Sequence, residues 1–184
     1  MHTVLDLLGS MPDTIYLTDS RWHDSNFLDV YEPYKWAVYT MDKAYMDLEA
    51  LYRMHVNQTY FVTRAKATMK YEVVDINYNI NDLVGIIGDR TVHLAGYVSE
   101  KKYPEDLRMV EFYDAEKEEV IAFITNNFEL GPLVIATSTA TGGRSRRSFM
   151  TSISLCKVDI KATLIFNKLS MLLLVSTLHN NIND

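Results

Sequence analysis

Cysteine is almost missing from this chain: Cys156 is the only one in 184 residues. One thiol excludes a disulfide framework and any zinc site built on several cysteines. Basic residues are also short, 18 Lys and Arg against 24 Asp and Glu, giving a net charge of −6. That balance speaks against a uniformly basic nucleic-acid binder. No apolar run reaches the roughly 20 residues a spanning helix needs. The best candidate, residues 162–178, is interrupted by Asn167 and Lys168. Nor does a basic and apolar leader open the sequence. A cytoplasmic protein with no membrane partner is expected.

What is present describes a globular chain, 48% hydrophobic and 23% charged, long enough for one ordinary core or a core plus an appendage. The charge is uneven. Residues 1–70 hold 7 basic and 9 acidic side chains, residues 71–130 hold 5 and 13, and residues 131–184 hold 6 and 2. A local basic surface is therefore still open to the first third.

Two β-rich runs around Gly9-Ser-Met-Pro12 predict an opening hairpin, followed by a short helix over residues 23–30. Trp36-Ala-Val-Tyr-Thr-Met41 is a strand-like run that stops at Asp42. Tyr45, Leu48, Leu51, Tyr52 and His55 then recur at helical spacing, with Glu49 and Arg53 as an i,i+4 pair, before a second strand-like run, Thr59-Tyr-Phe-Val-Thr-Arg64. Strand, acid, helix, strand is an α/β unit, and such units gather functional groups at the carboxyl ends of their strands. Residues 71–78, 91–98, 108–113 and 119–125 read as further strands without an intervening helix, an antiparallel insertion distinct from the first part. From Gly131 onward Thr, Ser, Gly and Arg dominate and no period persists through residues 137–161. The expected organisation is a core fragment over 1–69, a β-rich insertion over 70–130 and a tail over 131–184 that is disordered from about residue 137.

Asp42 carries the sharpest functional reading. A carboxylate on a rigid strand end binds a hard cation such as magnesium. Its ordinary reading is a helix N-cap. Arg64 and Lys66, at the end of the neighbouring strand, could contact phosphate, or could be solvated surface. His23-Asp24 reads first as a helix start, and with Asp42 would make a metal-dependent hydrolase only if the three converge. Gly142-Gly-Arg-Ser has no Gly-Lys-Ser/Thr at phosphate-loop spacing. Lys101-Lys-Tyr-Pro-Glu-Asp-Leu-Arg108 reads as an exposed connection.

Six segments in order resemble the DDE-type transposases of bacterial insertion sequences, of the insertion-sequence-four family. They are His2-Thr-Val-Leu-Asp-Leu, Thr18-Asp-Ser-Arg-Trp-His-Asp24, Tyr39-Thr-Met-Asp-Lys-Ala-Tyr45, Phe61-Val-Thr-Arg-Ala-Lys66, Lys101-Lys-Tyr-Pro-Glu105 and Thr125-Asn-Asn-Phe-Glu-Leu130. The resemblance covers residues 1–130. It implies an α/β, ribonuclease-H-like core with a β-rich insertion, acting on transposon-end DNA. Three carboxylates hold two Mg2+ or Mn2+ ions that clamp the attacking and leaving oxygens of a phosphodiester. It implies that Asp42 is the second of these acids, a catalytic and metal-binding residue, with Arg64 and Lys66 on DNA. Lys43-Ala44 stands where the family has Arg-Gly.

The resemblance also implies a first acid on a strand before the opening hairpin, and a third in a Tyr…Arg…Glu helix after residue 130. The sequence as written carries neither. A shifted reading frame over residues 137–149 permits Leu-Tyr-Arg-Tyr-Arg-Trp-Gln-Val-Glu-Ala-Phe-Phe, which contains that signature, so residues 131–184 read as a frameshifted tail. The gene's nucleotide sequence tests this. The expected function is thus a truncated, catalytically dead transposase. The alternative is a non-catalytic remnant that binds DNA or full-length transposase as an inhibitor.

Overall fold

The computed structural model describes residues 2–6, 11–17, 23, 26–80, 85–139 and 162–166. It is mixed α/β: a nine-stranded sheet in the order β2-β1-β9-β3-β4-β8-β7-β6-β5, with helices on both faces.

The chain opens with the antiparallel pair β1 (His2–Asp6) and β2 (Met11–Tyr16), as the alternating runs predict. The expected helix over 23–30 is one turn, α1 (Phe27–Val30). β3 (Val38–Met41) and β4 (Tyr60–Arg64) then pair in parallel, Val38 on Tyr60 through Met41 on Thr63. A parallel pair needs a crossover, and α2 (Leu48–Val56) supplies it. β3 starts two residues later than its apolar run because Trp36 sits at φ 63°, in the left-handed region that a strand cannot use.

After residue 70 come β5 (Tyr71–Ile76), β6 (Ile86–Leu94), β7 (Leu107–Asp114) and β8 (Glu119–Thr125), all antiparallel to their neighbours. A helix does intervene. Gly96, at φ 98°, ends the run after β6, and α3 (Tyr97–Lys102) fills part of the expected connection. Nor do these strands stand off from the first part. β8 pairs antiparallel with β4, so one sheet runs across residue 70.

Each face has its own core. α1 and α2 cover one, where Phe27, Tyr39, Leu51, Met54, Phe61, Leu107 and Ile124 pack together. On the other, α4 (Pro132–Thr139) lays Val134, Ile135 and Ala136 against Val38, Val62, Val110 and Phe123. The stretch expected to be a frameshifted tail thus opens with a core helix, most of it ahead of residue 137, where disorder is expected to begin. It also contributes β9 (Ala162–Phe166), while residues 140–161 and 167–184 lie outside the described residues.

Candidate functional site

The carboxyl ends of β3 and β4 form the site. All four residues of β3 are buried, and Asp42 is the first exposed residue after them. Its backbone is still extended (φ −72°, ψ 156°), and its Oδ1 accepts the Ala44 N–H at 3.1 Å, capping a single 3-10 turn, Lys43–Tyr45. α2 itself is capped by Asp47, whose Oδ1 accepts the Ala50 N–H at 3.1 Å. Asp42 is therefore an N-cap, but of the turn before the helix. Tyr45 anchors that turn: it is fully buried, and its hydroxyl meets His2 Nδ1 at 3.0 Å.

The parallel register brings the expected basic residues to the same place. Met41 pairs with Thr63, so one step further sets Asp42 abreast of Arg64. Lys66 is exposed, and its Nζ donates to the Met46 carbonyl at 3.0 Å, tying the segment after β4 to the segment after Asp42. An acid and two cations thus share one rim of the sheet. His23 is exposed, and Asp24 lies outside the described residues. Among the described residues no group of three or more His, Cys, Asp and Glu is placed to hold a metal ion. Asp42 offers one carboxylate, and a two-ion centre needs several shared oxygen ligands. The donor set among the described residues does not fit such a centre.

Two hydroxyls at this end were not marked by the sequence. Thr40 Oγ1 and Thr63 Oγ1 are buried and have no hydrogen-bond partner among the described residues. A threonine in a strand reads as an ordinary β-former, so no local signal separates these two from the rest.

Two other expectations change. Arg108, read as the end of an exposed connection, is buried: its Nε and Nη2 donate to both oxygens of Asp89 at 2.8 and 2.7 Å, and its Nη1 to the Leu130 carbonyl at 2.6 Å. Glu49 and Arg53 take other partners, Lys102 and Asp29. In the Asn-Asn segment, Asn126 accepts the Phe61 N–H and donates to the Thr59 carbonyl, both at 2.9 Å, pinning the entry of β4. Asn127 Oδ1 accepts the N–H groups of Glu129 and Leu130, closing the turn toward α4.

Among the described residues no helix is long and apolar enough to cross a membrane. No protein-family model, no curated protein and no solved structure matches the chain.

Proposed function

We propose that this chain is a DNA-binding member of the DDE transposase class, with a ribonuclease-H-like core related to the insertion-sequence-four family, and that alone it does not cleave DNA. The observation that carries the reading is Asp42 directly after β3, beside a parallel β4, with the antiparallel β1–β2 hairpin beyond β9 on the other side of β3. The six-segment resemblance implies that Asp42 is the second of the three acids, and a strand's carboxyl end is where α/β units gather their functional groups. Arg64 and Lys66 at the same rim supply positive charge for the DNA backbone. Catalysis is a different matter. Among the described residues no group of three His, Cys, Asp or Glu side chains gathers at Asp42 to position Mg2+ or Mn2+ ions on the attacking and leaving oxygens.

A gel shift with transposon-end DNA across a salt series tests the binding half. Affinity should fall steeply with salt, and the Arg64→Ala/Lys66→Ala variant should bind less tightly with a slope shallower by about 2. Absence of salt-sensitive binding would sink the DNA reading. The same DNA incubated with magnesium or manganese should be neither nicked nor joined. Cleavage that vanishes on Asp42→Ala would overturn the non-cleaving half and show that another chain or segment completes the site.

A further inference from the structure

β9 lies between two strands that do not hydrogen-bond to each other. On one side β1 runs antiparallel to it, with Thr3 on Phe166, Val4 on Ile165, Leu5 on Leu164 and Asp6 on Thr163. On the other β3 runs parallel, from Val38 on Ala162 to Met41 on Ile165. The seat is one strand wide, and main-chain donors and acceptors edge it on both sides. His2 and Val4 on β1 and every residue of β3 are buried, so the seat suits an extended, uncharged segment. One group beside it is unmatched. Thr40, 2% exposed, has no hydrogen-bond partner among the described residues, and its register partner in β9 is Leu164, a residue type with no hydrogen-bonding side-chain atom. A buried hydroxyl left in this way calls for a cause.

We propose that the gap between β1 and β3 is a strand-acceptor site, held by residues 162–166 as a resident strand. In trans it takes an uncharged extended peptide with a hydroxyl residue at the position of Leu164. Strand addition normally uses one open edge; this seat offers two ladders. The resident strand has the advantage of its tether, an effective concentration of order millimolar. An outside strand displaces it by satisfying Thr40.

The test uses the full chain with Ile165→Pro, because a proline removes a ladder N–H and keeps the resident strand out of an internal position. Two labelled peptides are titrated by anisotropy: Lys-Ala-Thr-Leu-Ile-Phe-Asn, the sequence of residues 161–167, and the same peptide with Thr replacing Leu. Both should saturate, and the Thr peptide should bind about fivefold tighter, the share of one neutral hydrogen bond. Adding Thr40→Val should abolish that preference while leaving the Leu peptide bound. A second chain, Leu5→Cys/Leu164→Cys/Cys156→Ser, can close a disulfide across a directly opposed pair. Oxidised, it should bind neither peptide; reduced, it should bind the Thr peptide at millimolar concentration. This pair decides the matter if Ile165→Pro fails to fold. Equal affinities, a preference that survives Thr40→Val, or binding indifferent to the disulfide overturns the proposal.

Discussion

Tyr31 and Tyr39 place their hydroxyls 3.3 Å apart inside the α1 side of the core, and Tyr39 also receives the Tyr34 N–H at 2.9 Å. Burial pushes both phenols well above the ordinary value of 10.0, and for Tyr31 the hydrogen bond to Tyr39 pushes further the same way. A phenol that holds its proton more tightly when folded adds stability that is fully present below about pH 10. That stability is lost as pH rises beyond 10, because the unfolded chain releases the proton first. Urea midpoints should therefore fall between pH 9 and pH 11. Tyr31→Phe should flatten that fall, at a cost of about 1 kcal/mol at neutral pH for the lost hydrogen bond. For single residues the sequence put Asp42 just after one strand and Arg64 and Lys66 at the end of the next, since each follows an apolar run, and β3 and β4 end there. It did not name Thr40, whose type alone predicts nothing about its partner.

Elements show how much turns on pairing at a distance. β6 and β7 are joined by the buried pair Asp89 and Arg108, and Arg108 also holds the Leu130 carbonyl just before α4. Asn77 completes the set by donating to Asp89 Oδ2 at 2.9 Å. Removing one member leaves the other charged, buried and unpaired. Arg108→Met should cost about 3–5 kcal/mol in equilibrium unfolding. Arg108→Met with Asp89→Leu should recover part of that loss, because no charge is then stranded. A double variant no better than the single one would show that the carbonyl bond, not the ion pair, is what matters. The sequence placed Arg108 at the start of a strand, yet a strand's period alone does not say which face meets α4.

At the scale of the molecule, the question is whether residues 70–125 form an appendage. Ile124, fully buried on β8, belongs to the same core as Phe61 on β4 and Leu51 on α2. β8 also shares a ladder with β4, Val62 on Thr125 through Arg64 on Phe123. Ile124→Ala should therefore cost about 2–5 kcal/mol and speed amide exchange in β3 and β4 as well as in β7 and β8. Faster exchange confined to β5–β8 would restore the picture of an appended unit. The outer strand β5 is the part of this region that comes nearest to it, with Val73, Val74 and Ile76 exposed at the sheet's end.

The sequence by itself determined the β3–α2–β4 unit and the carboxylate that ends β3. Those features rest on local periods, and a helix between two strands makes a parallel pair the natural connection. It determined the hairpins for the same reason: alternating runs close together in the chain meet across a short turn. Tertiary structure alone decided that residues 71–125 extend the first sheet, that Arg108 is interior, and that Ala162–Phe166 joins β1 to β3. Each of these depends on which strand edge meets which across many residues. Backbone donors and acceptors are the same in every strand, so the choice is made by matching of edges and faces that no local window contains.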